Sequence, residues 1–279
     1  MNNDNAVLRI PNLAQGKELG LLGEAGADHV DAAPQPATRR YQVVVGDGPV
    51  SVGQVLLSHP LLSQSGLTRS VIMLVKHNET TSFGLVVNRR MPFTMGDLID
   101  SPDAESSRGM NGAVRESLSV FRENPIFRGG DVGSTFLSIL HPHGHLQGAV
   151  KVCDGVYWQC DLAEAKELVL SGAASPLSFK LVLGYAGWAP RQLEGEVGMK
   201  TWLQVVGKGN AELAFSWGNE EDCVDDDDFD EASNTWTDEE SWEMMADRKA
   251  GAVWSSVWHS LGGEYTEMAS VPVRTDPHL

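Results

Sequence analysis

The chain is short of several things, and each shortage removes a class of function. It holds three cysteines, Cys153, Cys160 and Cys223. That is too few for a disulfide scaffold, and the odd number fits a reducing compartment better than a secreted one. No window approaches the ~18 consecutive apolar residues of a membrane-spanning helix. Residues 1–12 lack both the basic, apolar-cored pattern of a signal peptide and the Arg/Ser bias of a transit peptide. The expectation is an intracellular protein with no membrane partner. The choice between the cytoplasm and an organelle such as a mitochondrion or plastid stays open. Gly-x-Ser-x-Gly does not occur, which removes the commonest hydrolase elbow. Gly129-Gly130-Asp131 lacks the frame of a phosphate loop and reads as a turn needing positive φ. No cofactor and no assembled catalytic set is expected.

Basic residues are missing from one stretch in particular. Between Asn219 and Asp247 there are 14 acidic residues and no Lys or Arg, within a chain of net charge −17. Elsewhere 38 − 14 = 24 acids face 21 bases, so the body is nearly neutral. An acidic balance repels nucleic acid and anionic lipid, which disfavours direct nucleic-acid binding. No helix-turn-helix with a basic recognition helix is evident either. Asp225 to Asp228 form an unbroken acidic run, with Phe229 and Trp236 interleaved nearby. Like-charge blocks are normally solvated, but aromatics amid acids also resemble segments that dock on basic proteins. The expected partner is therefore a protein, met at a basic surface by an acidic loop spanning 219–242.

What is present is enough apolar residue for a core, at 42%. Residues 1–50 read as an extension or linker, rich in Gly, Ala and Pro from Gly20 to Ala37, partly disordered, with an edge strand at Tyr41–Val45. Strands are expected at Gly53–Ser58, Val71–His77 and Phe83–Asn88, the last two joined by the polar turn Asn78–Ser82 as a hairpin. Thr94 caps a short helix to Ile99, Ser101–Ser119 looks like a loop insertion, and Pro125–Gly130 enters a tight turn. Phe136–Leu140 is a strand, and Asp154-Gly155 turns a hairpin between 149–153 and 156–158. Asp161 caps a helix over Leu162–Leu170, with Glu164 placed for a capping box and Gly172 as the stop. Leu177–Tyr185 and Trp202–Val206 are strands around a short helix opened by Pro190. Trp242–Leu261 is one helix, or two broken near Gly251, with Val253, Trp254, Val257, Trp258 and Leu261 on one face. Strands that do not alternate regularly with helices predict an α+β fold: a curved, mostly antiparallel, partly barrel-like sheet with peripheral helices.

Several runs in order carry a resemblance. They are Gly53–Pro60, Arg69–His77, Gly84–Arg89, Phe127–Gly130, Leu140-His141, and Gly184-Tyr-Ala-Gly-Trp-Ala-Pro-Arg-Gln-Leu-Glu-Gly-Glu196 with Trp202. In this spacing the chain resembles the AlgH/YqgE family over Ser51–Met268, with insertions at 101–119 and 219–242 and a tail from 269 to 279. The resemblance implies a compact α+β domain. It also implies an association with transcriptional regulation in bacteria, brings no established catalytic mechanism, and extends to organellar relatives for which an assembly role is conceivable.

The candidate site residues are Arg69, Asn88, Arg89, His141, Tyr185, Trp188 and Gln192. Arg69 and Arg89 fall at one sheet end if their strands pair. There they either clamp a carboxylate or phosphate, or pair with Glu194 or Glu196 to hold a helix to the sheet; the latter is the favoured expectation. Tyr185, Trp188 and Gln192 either line a polar pocket or specify a corner of the fold, with the corner favoured. Glu194 and Glu196 are two apart and share no helix face, which argues against a paired-carboxylate device. His141, His143 and His145 sit in a Pro/Gly turn that reads as a solvated loop, not a metal site. The leading functional expectation is a non-enzymatic binding, regulatory or assembly protein. The alternative is a small-ligand binder or enzyme with an arginine-lined anion pocket.

Overall fold

A computed structural model describes residues 41–62, 66–101, 110–216 and 239–271, with side chains in the last stretch described from Lys249 onward. Residues 1–40 of the expected extension, the acidic stretch up to 238 and the tail beyond 271 lie outside the described residues, as does Cys223.

Alternation builds the first half of the sheet. Strands β1 (Val44–Val45), β2 (Val55–Ser58), β3 (Val71–His77) and β4 (Ser82–Val86) are short and β-branched. In β2 and β3, Val55, Leu57, Val71, Met73 and Val75 face one core, whereas Leu56, Ile72 and Leu74 face another. A strand sandwiched in this way must be apolar on both faces, which is why these runs read as continuous. β3 and β4 form the expected antiparallel hairpin. The remaining elements are β5 (Arg90–Thr94), α1 (Met95–Asp100), α2 (Gly112–Leu118), β6 (Pro125–Arg128), β7 (Val132–His141), β8 (Val150–Cys153), β9 (Val156–Trp158), α3 (Leu162–Leu170), β10 (Lys180–Trp188), α4 (Gln192–Gly198), β11 (Trp202–Val206), α5 (Gly209–Phe215), α6 (Glu239–Leu261) and α7 (Tyr265–Met268).

The strands join in the order β1-β11-β2-β3-β4-β10-β7-β9-β8, with β6 attached to β10 and β5 to β6. The sheet is open, and every pairing is antiparallel except β6 with β10. β10 is the branch point: Ala186–Trp188 pair with β4, while Leu181–Leu183 pair with β6. Glycines make this branch sterically possible. A Cβ on Gly129 would lie 2.2 Å from the Gly184 carbonyl oxygen, and one on Gly130 would lie 2.2 Å from the Tyr185 carbonyl carbon. The Phe127-Arg-Gly-Gly130 run is therefore more than a turn, because its backbone packs directly on β10. Pro125–Arg128 is a strand where the sequence points to a turn entry.

Helices cover both faces. α5 and α6 pack on one side through Leu213, Ala214, Val253, Trp254, Val257 and Trp258. α4 covers the opposite side through Leu193, and α1–α3 cover the β6–β7–β10 region through Met95, Leu98, Leu118, Leu162 and Ala165. α6 runs through Gly251 without a break. α2 lies within the stretch expected to be a loop, and its Leu118 is fully buried. Thr94 caps α1 in a complete capping box with Asp97. At α3, Asp161 accepts from Glu164 N, but the box does not close. The Glu164 carboxylate accepts from Gln147 N and the Asp161 amide donates to Gln147 O. Pro190 sits ahead of α4 instead of opening it, and Arg191 takes the left-handed N-cap position.

Candidate functional site

Asn88 organises the sheet end at which the two arginines meet. It follows β4, is buried, and uses its amide fully. Its Oδ1 accepts from Val71 N at 2.9 Å, and its Nδ2 donates to Arg69 O at 2.9 Å and to Ala250 O at 2.8 Å. The last bond reaches into α6. Arg69 stands in the left-handed region, at φ 50°. Its guanidinium donates to Val271 O at 3.1 Å and lies 5.4 Å from the Trp254 ring centroid. Arg89 donates to the Thr68 carbonyl. The arginines thus share a sheet end, as strand pairing predicts, but both grip backbone carbonyls.

The expected pairing with Glu194 or Glu196 is overturned. Glu196 Oε2 accepts both indole N–H groups, from Trp188 at 2.9 Å and Trp202 at 2.6 Å, and Oε1 accepts from Gln192 at 2.8 Å. Glu194 faces His77 at 3.8 Å. The two carboxylates are spent on different neighbours, as their spacing on α4 requires.

Lys180 completes the sheet end, and sequence reasoning missed it. It opens β10, is 1% exposed, and its Nζ donates to Val87 O and, at 2.8 Å, to Ser216 O. The same nitrogen lies 4.1 Å from the Phe127 ring centroid. Two carbonyls and a π face offer a partner in each of three directions. Burial holds its pKa well below the ordinary lysine value. The available signal was a lysine inside an apolar run, Phe179-Lys-Leu-Val-Leu183, where a charge is expensive unless it is partnered.

Val87 and Asn88 are consecutive, so Ser216 and Ala250 are tethered side by side, one by Lys180 and the other by Asn88. Between them run the 33 residues 217–249, which hold all 14 acids of the acidic stretch. Of the side chains expected to clamp a small anion, Asn88 instead holds Ala250 on the far side of the acidic segment, while Lys180 holds Ser216 on the near side.

The other candidates do not join them. His141 is buried, not solvated. Its Nε2 donates to Gln159 O at 2.9 Å and its Nδ1 accepts from His143 N at 3.2 Å, which fixes a neutral tautomer. Burial is the main cause that pushes its pKa down to about 4. His143 turns away to Ser178 Oγ at 2.6 Å. Among the described residues no three His, Cys, Asp or Glu side chains gather as metal ligands. Cys160 is buried, and its thiol is pushed up to about 12 by desolvation. The pocket considered for Tyr185, Trp188 and Gln192 is not assembled. The β7–β10 register shifts between Leu183 and Tyr185, at Gly184 with φ 75°. Tyr185 then stacks on Phe83 at 4.2 Å in the α5/α6 core, whereas Trp188 packs with Leu193 and Trp202 under α4. Gln192 buttresses the corner instead, accepting from Ala189 N at 3.0 Å.

With this geometry in hand, the comparisons place the chain. The AlgH-like family model, DUF179, matches residues 55–223. The chain belongs to the AlgH-like family. A UPF0301 protein of Cytophaga hutchinsonii is 26% identical over 229 residues, covering 81% of this chain and 97% of its own. One from Myxococcus xanthus is 33% identical over 159 residues, covering 57% of this chain and 80% of its own. The crystal structure of a Corynebacterium diphtheriae protein superposes with a TM-score of 0.51 at 15% identity, covering 80% of this chain and 93% of that one, and so shares the fold. Among the described residues of this AlgH-like chain, no helix is long and apolar enough to cross a membrane. The family match stops inside the acidic stretch, so α6 lies beyond the matched residues, whereas Asn88, which holds it, lies within them.

Proposed function

We propose that this AlgH-like chain is a non-catalytic binding protein of a regulatory or assembly kind, whose acidic segment 219–242 docks on a basic surface of a protein partner. The observation that carries this reading is the double tether. Lys180 and Asn88 spend their polar groups on Ser216 and Ala250, which lie on either side of the acidic segment. A segment fixed at both ends presents its charge from a defined place on the body and loses less entropy on binding than a free tail. The small-anion alternative is weakened by the same bonds, since the Arg69 and Arg89 guanidiniums are directed at backbone carbonyls.

Affinity purification from native extract tests the reading. The intact chain should retain basic protein partners, and a chain with 219–236 replaced by a Gly/Ser linker of equal length should lose them while keeping its melting temperature. Partners bound through charge should elute as ionic strength rises towards ~0.5 M, where the Debye length shortens to a few ångströms. An unchanged partner set after the replacement would overturn the proposal.

A further inference from the structure

A hollow of about 230 Å³ opens beside the end of β2, lined by His59, Leu61, Leu62, Met199, Lys200 and Thr201. Its walls come from two chain segments held together. The His59 amide donates to Thr201 O at 3.0 Å, just past the Ser58–Trp202 register pair. His59 Nδ1 accepts from Leu61 N at 3.2 Å, which fixes the ring at the rim. Lys200 turns the chain out of α4 at φ 63° and presents its ammonium at the surface. Two of the walls are exposed apolar side chains, Leu61 at 66% and Met199 at 73%. No lining residue is acidic, and Lys200 makes no ion pair among the described residues. Apolar walls beside an unpaired cation fit a large apolar side chain flanked by carboxylates.

The chain itself carries such a sequence. Residues 225–231 read Asp-Asp-Asp-Asp-Phe-Asp-Glu, with Phe229 between acids on both sides. Charge complements charge, and the ring would fill the hollow. The reach also suffices. Ser216 is tethered at Val87, beyond the end of β4, and the hollow lies past the ends of β2 and β11 at the same end of the sheet, towards the face that α4 covers. The strand order β4-β3-β2-β11 separates them by three steps, or about 15 Å at the usual strand spacing. Thirteen residues lead from Ser216 to Phe229 and ten from Phe229 to α6. Extended, these cover roughly 43 and 33 Å, and the first is well over the step from the Ser216 tether to the hollow.

We infer that the hollow between Leu61 and Met199 is a docking site for Phe229 of the same chain, with Lys200 receiving its flanking carboxylates. The inference rests on the proposed function only in treating the acidic segment as a binding element. A basic partner that takes up the segment would leave the hollow vacant, so partner binding and self-docking compete.

The test uses the purified full chain with no partner present, so it can fail independently of the affinity purification. A benzoylphenyl photo-crosslinker replaces the Phe229 side chain, and the products are mapped by mass spectrometry at a dilution where the chain is monomeric. Crosslinks to Leu61 or Met199 within one chain are expected. They should be lost with Met199→Asp and with Lys200→Glu, both exposed positions where the melting temperature should hold. Crosslinks only to other surfaces, only between copies, or unaffected by both substitutions would overturn the inference.

Discussion

Lys180 is the residue on which the sheet end depends most. Replacing it with Met keeps the length of the side chain but removes the donors for Val87 O and Ser216 O. Unsatisfied buried carbonyls cost about 1–3 kcal/mol, so Lys180→Met should lower the urea midpoint measurably. The effect should also depend on pH. The folded pKa of Lys180 is depressed, so the unfolded chain binds the extra proton more readily. Wild-type stability relative to Lys180→Met should therefore rise as pH climbs from 7 towards the ordinary lysine value of 10.5. Denaturation at stepped pH checks this, and a pH-independent difference would contradict the burial argument. His141 gives a second window. Its pKa falls from 6.5 to about 4, so its stabilising contribution is whole above 6.5 and is lost as pH drops towards 4. The loss is up to about 3 kcal/mol. His141→Gln should flatten the decline in melting temperature between those values.

α6 carries most of the apolar mass on its face of the sheet, and its two tryptophans are not equivalent. Trp254 Nε1 donates to Ser58 O at 2.9 Å, whereas buried Trp258 Nε1 has no hydrogen-bond partner among the described residues. Both lose bulk on replacement by Phe, but only Trp254→Phe also strands a buried carbonyl. Trp254→Phe should be the more destabilising by about 1 kcal/mol in chemical denaturation. The legible parts of the fold were local at this scale. Val71–His77 and Trp202–Val206 are strands as read, because short apolar runs rich in β-branched and aromatic residues are too brief for a helix. Thr94 and Asp161 cap helices as read, because a cap and its amide lie three residues apart. What failed depends on distant partners. The Glu164 carboxylate is claimed by Gln147, 17 residues away, and Lys180 meets carbonyls 36 and 93 residues away. Tyr185 and Trp188 part company because they stand three apart on one strand, where side chains alternate between faces, so a shared pocket is excluded once both are placed in β10. The hairpin brings Arg69, Asn88 and Arg89 to one place, but the partners of Asn88 and Arg69 there come from Ala250 and Val271, 162 and 202 residues downstream.

For the molecule as a whole, charge and fold are separable. Replacing 219–236 with an uncharged linker removes nine acids and no base, taking the net charge from −17 to −8. The fold should tolerate this, because half of the stretch is acidic and such a composition offers little apolar surface to bury. Melting temperature should change little, and ion-exchange retention should drop sharply. A large fall in stability would show that the segment belongs to the body.

The side-by-side tethering of Ser216 and Ala250 has a last consequence, for how such a chain can change over evolutionary time. Because the stem of the excursion is already closed by neighbouring bonds, doubling its length adds only about 0.6 kcal/mol of closure entropy. Natural selection, or an engineer, can lengthen the sequence between those two posts, recode it, or splice a foreign module into it at small thermodynamic penalty, while the open-sheet body beneath stays as it is.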